Sequence, residues 1–276
     1  MSSLTRINPV KCRTIWLSDI HLGYRGCKAE YLLDFLKNVE CEYIYLVGDI
    51  FDVWSMKQKG FYWPQSHNNV IRTILGKAKH NTKVIYIPGN HDEIFREYDG
   101  QVFGNVEIHN KYIHETIDGR KLLMMHGDEF DSAVQLSRLA SFIGDKGYDF
   151  LLYVNRYLHA FRRMMGRPYW SFSGYIKTRV QNAMEVISKY ENAVAHEAKH
   201  QDVDGLVCGH IHYPQLKELS GVLYCNDGDW VENCTTMLEH HDGTLELLRW
   251  RENIESLAVI PSMANKQNSI SENKAA

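Results

Sequence analysis

The chain has 276 residues, a formal net charge of −3, and 44% hydrophobic against 24% charged residues. This composition is typical of a globular protein and excludes a disordered, a collagen-like or a highly basic histone-like chain. We expect neither a membrane-spanning helix nor a secretory signal, because no apolar run approaches the roughly 20 residues that a span needs. Six cysteines are scattered without a CxxC pair, which indicates reduced thiols rather than a zinc ribbon.

Short apolar runs separated by helical patterns predict an α/β architecture. Five runs are rich in β-branched or aromatic residues and are bounded by Gly, Pro or Asp, as buried strands are. They cover residues 14–17, 43–47, 84–87, 121–125 and 206–208. Apolar residues at helical spacing over 29–39 and 68–79 predict helices between the first three strands. This alternation indicates a layered α/β core.

The segment 130–200 differs because its hydrophobic periodicity is helical, so we predict a helical insertion there. Its part 150–180 contains six Lys and Arg and no Asp or Glu, and aromatic residues lie between the charges. Such a stretch suits an anionic amphiphile or a membrane surface, and Arg156, Trp170 and Lys177 are its candidate substrate-binding residues. The alternative is a helical pair packed on the core with a solvated basic face.

The domain boundaries follow from where the apolar patterns begin and end. Predicted strands at 222–225, 235–238 and 244–250 close the fold, so one domain covers 12–252 and includes the insertion at 130–200. From 253 to 276 Ser, Asn, Lys and Ala dominate, and we predict a disordered tail there.

Polar side chains with metal-binding chemistry follow each of the five predicted strands. The blocks are Ser-Asp-Ile-His, Gly-Asp-Ile-Phe-Asp, Gly-Asn-His-Asp, His-Gly-Asp and Gly-His-Ile-His. The carboxyl ends of strands in open α/β sheets line one crevice, so residues far apart in sequence can converge there. The candidate metal ligands are Asp19, His21, Asp49, Asn90, His126, His210 and His212.

Seven oxygen and imidazole donors exceed what one metal ion needs and fit two ions that share a bridging carboxylate. Asp49 is the predicted bridge, because Gly48 before it lets the backbone come close. Mixed imidazole and carboxylate ligands favour Mn²⁺, Zn²⁺ or Fe²⁺ over Mg²⁺ and Ca²⁺, and we expect two divalent ions with Mn²⁺ as the first choice. The charge of two such ions exceeds that of two carboxylates, which favours an anionic phosphate ester as substrate.

The motif series SDIHLG, GDIFD, GNHD, HGD and GHIH resembles that of the calcineurin-like metallophosphoesterase superfamily. The resemblance covers residues 14–212 and implies a four-layer α/β/β/α sandwich. It implies that one ion is held by Asp19, His21, Asp49 and His212, and the other by Asp49, Asn90, His126 and His210. It also implies that His91 contacts the phosphate or protonates the leaving oxygen, with Asp92 orienting His91.

The long insertion between the last two metal blocks resembles that of the UDP-2,3-diacylglucosamine pyrophosphatases of lipid A biosynthesis. In that family a helical cap holds the acyl chains, and water attacks the α-phosphate to give UMP and a lipid 1-phosphate. We expect a cytoplasmic enzyme that visits the inner membrane surface and takes an anionic nucleotide–lipid, and we expect neither a nucleic acid nor an obligate protein as partner. Typical members carry GNRD, whereas this chain has GNHD, so the exact substrate stays open.

Other functions of the same fold are the alternatives. Double-strand-break repair exonucleases share two of the blocks, but they place their capping domain after the last metal motif, and this chain is acidic overall. Protein phosphatases carry an Arg soon after the second block, which is missing here. A phosphodiesterase with another substrate stays open. A non-catalytic scaffold predicts lost ligands, yet all seven candidates are present.

Overall fold

The structure, a computed structural model, describes residues 9–131 and 172–264. The chain divides into two compact units, one formed by Met1–Asp128 with Val194–Ala276 and the other by Glu129–Ala193. The mixed α/β class predicted from the sequence is confirmed. Among the described helices, none combines the length and the apolar character that a membrane crossing requires.

The strands of the described residues are short, and most of them belong to the first unit's two main sheets. They are β1 (Val10–Lys11), β2 (Thr14–Leu17), β3 (Val39–Glu40), β4 (Tyr43–Val47), β5 (Lys83–Ile87), β6 (Val102–Phe103), β7 (Val106–Ile108), β8 (Tyr112–Glu115), β9 (Lys121–Met124), β10 (Gly205–Cys208), β11 (Gln215–Leu219), β12 (Val222–Asn226), β13 (Thr235–Glu239), β14 (Leu245–Trp250) and β15 (Ile254–Ile260). Each of the five strands predicted to carry the polar blocks is present, as β2, β4, β5, β9 and β10.

Helices lie between strands in the N-terminal half of the chain, and one long helix precedes β10. They are α1 (Ala29–Lys37), α2 (Val53–Lys59), α3 (Gln65–Lys79) and α4 (Phe172–His200), with 3-10 turns at Glu93–Tyr98 and Asp128–Phe130. The predicted helices 29–39 and 68–79 correspond to α1 and α3. Helix α2 was not predicted, because its seven residues are too few to show a helical period.

Strand order places the candidate ligands together. The larger sheet has the order β15-β14-β13-β2-β4-β5-β7-β6, and the smaller one has the order β11-β12-β10-β9-β8. Strands β2, β4, β5 and β7 are parallel, and so are β9, β10 and β12 in the smaller sheet. Every polar block therefore leaves its strand at the carboxyl edge of one of these two parallel arrays.

Two hydrophobic cores account for the layers, because alternate residues of a strand face opposite sides of its sheet. Trp16 lies in the core that the two sheets share, whereas its neighbours Ile15 and Leu17 face the core beneath α1 and α3. The core between the sheets is completed by Tyr45, Val47, Ile85, Ile87, Leu122, Met124, Val207 and Cys225. Burying each large apolar side chain stabilises the fold by about 1.5–3 kcal/mol.

A buried ion pair ties the sheets together at the start of β2, the opposite end of that strand from Asp19. The fully buried Glu239 carboxylate lies 2.8 Å from the Arg13 guanidinium and accepts a hydrogen bond from the Thr14 hydroxyl. His114 of the smaller sheet places Nε2 2.9 Å from the same carboxylate and Nδ1 2.9 Å from the Tyr45 hydroxyl. Burial acts to raise the pKa of Glu239, but the hydrogen bonds from His114 and Thr14 outweigh it and lower the pKa.

The predicted disorder from residue 253 onwards is wrong for Ile254–Ile260, which forms β15 at the edge of the larger sheet. It pairs antiparallel with β14 from Leu245↔Ile260 to Trp250↔Ile254. Leu257, Ala258 and Ile260 pack against the core between the sheets. Backbone hydrogen bonds and this packing order an apolar segment that lies next to a polar stretch of sequence. Residues 265–276 of the predicted tail lie outside the described residues.

The predicted helical insertion 130–200 is described only in part. Its helix α4 is present, while residues 132–171 lie outside the described residues and include Arg156 and Trp170. Lys177 lies within α4, but its side chain is also outside the described part of the structure. The assignment of these three residues to substrate binding therefore stays a prediction.

Candidate metal centre

The turns that carry the candidate ligands have unusual backbone geometry. Asp19, His21, Asp49, His210 and His212 all have positive φ angles, between 48° and 69°. Left-handed backbone costs about 1–3 kcal/mol for a residue with a side chain, so a fold retains it where the surrounding structure demands it. Here the chain reverses sharply at the strand end, and the side chains are directed to one point.

Gly48 permits the closest approach within the cluster. Its φ is 83°, and a Cβ at this position would lie 2.0 Å from Nδ1 of His126. No larger residue fits without moving the His126 ring, because real Cβ atoms are not found below 3.0 Å from such an atom. The glycine before Asp49 therefore lets two strand-end loops, one from each sheet, lie against each other.

Three groups of side chains have ligand atoms within 4.8 Å of one another. One comprises Asp19, His21 and His212, the second comprises Asp19, Asp49 and His126, and the third comprises His21, Asp52 and His91. Nε2 of His212 lies 3.0 Å from Oδ1 of Asp19, and Nε2 of His126 lies 3.4 Å from Oδ1 of Asp49. The structure thus brings residues from both sheets, almost 200 positions apart, into one cluster.

The two remaining predicted ligands border the second group. Oδ1 of Asn90 lies 3.2 Å from Nε2 of His126. The ring centroid of His210 lies 5.1 Å from that of His126, and the His210 backbone N–H donates to Oδ2 of Asp19 at 2.9 Å. All seven predicted ligands therefore lie in the same cluster.

Two observations test whether these residues fit divalent ions. Oδ1 of Asp19 and Nε2 of His21 are buried, and neither makes a hydrogen bond of good geometry, although Nε2 of His212 lies 3.0 Å from that oxygen. Such atoms are costly to bury unless another group engages them. Nδ1 of His126 donates to the Val47 carbonyl at 3.1 Å, so Nε2 is the ring atom directed at Asp49 and Asn90. The donor set and its orientation fit metal binding.

The electrostatics of the metal-free cluster show how strongly its charges are coupled. Burial alone would lower the pKa of His126, but the Asp49 carboxylate raises it to about 10. Burial also acts to lower the pKa of His21, but Asp19 and Asp52 outweigh it and raise that pKa to about 10. The pKa of Asp19 is well below its usual value, because His212 and His21 outweigh the effect of burial. The carboxylates are therefore ionised, and the imidazole rings that carry positive charge lie beside them in the same small volume.

His91 is oriented by Asp52, not by Asp92 as the motif resemblance implied. Nδ1 of His91 lies 2.9 Å from Oδ1 of Asp52, and Nδ1 of His21 lies 3.3 Å from Oδ2 of the same carboxylate. One carboxylate therefore fixes two imidazole rings, which meet edge to face at 4.8 Å. Both rings consequently turn Nε2 towards Asp49, at 3.9 Å from His91 and 3.8 Å from His21.

Asp92 instead holds the loop that carries Asp49. Its carboxylate accepts hydrogen bonds from the backbone N–H groups of Asp49, Ile50, Phe51 and Gly89 and from the Tyr86 hydroxyl. Burial and the nearby Asp49 charge raise the pKa of Asp92. The side chain points away from His91 because five donors from the neighbouring loops and from β5 surround it, so Asp92 is part of the scaffold of the site.

Sequence reasoning also assigned no role to two carboxylates in the loop after β12. The buried Asp227 accepts a hydrogen bond from the Ser18 hydroxyl at 2.6 Å, directly before Asp19. The buried Asp229 accepts from the backbone N–H of Val231 at 2.8 Å and places Oδ2 3.9 Å from Nδ1 of His212. The signal was the sequence Asn-Asp-Gly-Asp directly after a strand, which by itself is indistinguishable from an ordinary turn.

Comparisons with known proteins identify a matching family and several relatives. A family model described as Calcineurin-like phosphoesterase matches residues 12–214. A UDP-2,3-diacylglucosamine hydrolase from Aliivibrio fischeri is 23% identical, covering 83% of this chain and 94% of that protein. Proteins of the same name from Porphyromonas gingivalis and Bordetella pertussis are 25% and 27% identical, covering 89% and 75% of this chain and 100% and 80% of those proteins. Among solved structures, the E. coli phosphoesterase YfcE is 13% identical with a TM-score of 0.47, covering 90% of this chain and 98% of that one.

Proposed function

Because the chain belongs to the calcineurin-like phosphoesterase family, we propose that it is a dinuclear-metal phosphohydrolase whose substrate is UDP-2,3-diacylglucosamine. The family membership supports a metal-dependent hydrolase acting on phosphate esters or anhydrides. The names of relatives at 21–27% identity support the nucleotide–lipid as the particular substrate. Water attack on the α-phosphorus, with cleavage of its bond to the bridging oxygen, would release UMP and the lipid 1-phosphate.

The position of Asp49 carries the proposal of two ions. Its Oδ1 faces Nε2 of His126 at 3.4 Å, and its Oδ2 faces Nε2 of His21 at 3.8 Å. The two oxygens of one carboxylate are thus turned to two different ligand groups, as a bridging ligand requires. Asp19, His21, Asp49 and His212 would hold one ion, and Asp49, Asn90, His126 and His210 the other. Two divalent ions, most suitably Mn²⁺, would supply activation of the attacking water and stabilisation of the phosphoryl charge.

His91 would act on the leaving group. Its Nδ1 is engaged by Asp52, so Nε2 is the atom that faces the reaction centre. A protonated Nε2 can donate to the oxygen that leaves phosphorus, while Asp52 keeps the ring in place. The His91 side chain is 22% exposed, which leaves it accessible to a bound phosphate ester.

The pair formed by His91 and Asp52 favours a second candidate function. This function is hydrolysis of a phosphodiester or monoester with an alkoxide leaving group. A phosphate that leaves from an anhydride is a weak base and gains little from a proton donor, whereas an alkoxide gains much. A positioned His–Asp pair therefore suits the more basic leaving group. The chain's GNHD, at the block where the pyrophosphatases it resembles carry GNRD, supports testing this candidate beside the first.

The test is a comparison of substrates with Mn²⁺-loaded protein. UDP-2,3-diacylglucosamine, UDP-GlcNAc, an aryl phosphodiester and single-stranded DNA are offered separately, and UMP, sugar phosphate, aryl alcohol and nucleotides are measured. UMP released only from the acylated substrate supports the first candidate. Turnover of a diester with no UMP release discards that substrate and favours the second. No turnover of any compound by protein that holds two ions per chain contradicts the proposal of a phosphohydrolase.

A further inference from the structure

The loop between β12 and β13, residues 227–234, places a buried carboxylate behind the ring of His212. Asp229 is fully buried, and its Oδ2 lies 3.9 Å from Nδ1 of His212. Nε2 of the same ring lies 3.0 Å from Oδ1 of Asp19. The imidazole therefore stands between a candidate metal ligand at one nitrogen and a carboxylate of the loop at the other.

The Asp229 carboxylate is fixed by its own loop. Its Oδ1 accepts hydrogen bonds from the backbone N–H groups of Val231, Glu232 and Asn233. Its Oδ2 accepts a hydrogen bond from the side-chain amide of Asn233. In the part of the chain that the structure describes, no Lys or Arg lies within ion-pair distance of this carboxylate. Its negative charge is therefore held in one place, and no described basic side chain cancels it.

The same loop also holds the backbone of two candidate ligands. The Asn233 side-chain amide donates to the His212 carbonyl at 3.0 Å, and the Trp230 backbone N–H donates to the Asp19 carbonyl at 3.1 Å. Both ligands have positive φ angles, 52° for His212 and 48° for Asp19. Because such backbone persists only where its surroundings demand it, these hydrogen bonds help to impose it. The Trp230 ring anchors the loop, since it is fully buried and packs on Phe35.

The group behind His212 differs from the group behind His126, which belongs to the other predicted ion. Nδ1 of His126 donates to the neutral Val47 carbonyl at 3.1 Å. At 3.9 Å Asp229 acts on His212 through its charge rather than through a hydrogen bond. A carboxylate beside Nδ1 favours the tautomer with the proton on Nδ1, which leaves Nε2 free to bind a cation. A change at Asp229 should therefore affect the ion at His212 and not the ion at His126.

We propose that Asp229 is a positioning residue for His212 and sets how tightly one of the two ions is bound. That ion is the one whose ligands would be Asp19, His21, Asp49 and His212. The inference rests on the proposed function, because it takes the two-ion centre as its premise. Asp229 acts through the His212 ring, by fixing its tautomer and by stabilising the positive charge that a bound cation brings to it.

Mn²⁺ titration of the metal-free, full-length protein tests this role, followed by calorimetry and by the electron paramagnetic resonance signal of free Mn²⁺. Two background variants separate the ions, because Asn90→Ala leaves the ligands of the ion at His212 and His212→Ala leaves those of the other ion. Asp229→Asn is expected to weaken Mn²⁺ binding about 10–100-fold in the first background and by no more than about twofold in the second. Glu232→Gln is the matched control, because it removes an exposed carboxylate from the same loop.

A loss of affinity confined to the Asn90→Ala background, and absent with Glu232→Gln, supports the positioning role. An equal loss in both backgrounds would identify a residue that only maintains the fold, and it would overturn the proposal. Unchanged affinity in both backgrounds would overturn it as well. Circular dichroism checks that each variant is folded. Asn233→Ala, which removes the amide that holds Asp229, is the second variant, and it should weaken binding about tenfold in the first background alone.

The titration also separates this proposal from the proposed function. Wild-type protein that binds two ions but hydrolyses no phosphate ester would contradict the phosphohydrolase, while the effect of Asp229→Asn on one ion would still support the positioning role. Wild-type protein that binds fewer than two ions would contradict the dinuclear centre and overturn the positioning role with it.

Discussion

Nδ1 of His91 lies 2.9 Å from Oδ1 of Asp52, and the other oxygen of that carboxylate lies 3.3 Å from Nδ1 of His21. Asp52 therefore links a residue that would act on the leaving group to one that would bind metal. The pKa of Asp52 is lowered, because the hydrogen bonds from His21 and His91 outweigh the effect of burial. The carboxylate is therefore ionised and accepts from both rings.

Replacing His91 by alanine should lower kcat about 10²–10⁴-fold for an ester with an alkoxide leaving group. For a nitrophenyl ester, which leaves without a proton, the loss should be much smaller. The ratio of the two losses measures proton donation directly. Equal losses on both substrates would contradict a role at the leaving group and indicate phosphate binding instead.

Asp52→Asn should reproduce this dependence on the leaving group and add a second effect. Since Asp52 also holds His21, the variant should bind Mn²⁺ more weakly, by about 10–100-fold. His91→Ala is the matched control, because it leaves the His21 contact intact. Metal titration by calorimetry distinguishes the two variants. An unchanged metal affinity in Asp52→Asn would show that the His21 contact is unimportant.

Replacing Asp49 by alanine should abolish turnover and reduce the bound metal from two ions per chain to one or none. The reason is that its two oxygens face different ligand groups. Elemental analysis of the purified variant, with circular dichroism as the check on folding, measures this. A variant that retains two ions and activity would rule out the bridging position.

The buried ion pair of Glu239 with Arg13 should contribute far more to stability than an exposed Arg–Glu pair. Glu239→Gln removes the charge that Arg13 faces at 2.8 Å and should lower the free energy of unfolding by about 3–5 kcal/mol. Glu255→Gln breaks the exposed pair with Arg249 and should cost about 0–1 kcal/mol. Because the folded-state pKa of Glu239 is lowered, its contribution is present above the usual 4.5 and is lost as the pH falls through the folded value. Urea unfolding of the metal-free proteins tests both points.

Metal-free protein should lose stability as the pH rises. His21 and His126 titrate near 10 in the folded chain, against an ordinary histidine value of 6.5, because carboxylates outweigh their burial. The raised pKa values contribute to the free energy of unfolding. This contribution is fully present below pH 6.5 and disappears as the pH rises towards 10. Metal binding requires neutral imidazoles, so affinity for Mn²⁺ should rise over the same range. Urea midpoints with and without chelator measure this, and a flat profile without metal would contradict it.

Local patterns were sufficient for much of the fold. The run at 14–17 alternates between two cores and carries a polar block at its end, so both the strand and its candidate ligands were predictable. Ile254–Ile260 was missed, because the polar residues after it dominate the composition of 253–276, although the segment itself is apolar and pairs with β14. Helix α2 was missed because its seven residues are too few to show a helical period, although Asp52 caps its start by accepting from the Ser55 backbone N–H at 2.7 Å.

What the sequence by itself determined is the chemistry of the centre. Each candidate ligand follows a strand, and a strand's carboxyl end is recognisable from local hydrophobicity and turn residues alone. What only the tertiary structure decided is the pairing around those ligands. Asp52 and Asp92 have the same side chain, so residue type does not decide which of them orients His91. Asp92 is the next residue after His91 in the sequence. Asp92 is nevertheless occupied by five donors, four from two loops and one from β5, while Asp52, 39 positions away from His91, meets the ring. Hydrogen bonds of this kind join separate loops, so their partners are fixed by how the strands are ordered in space.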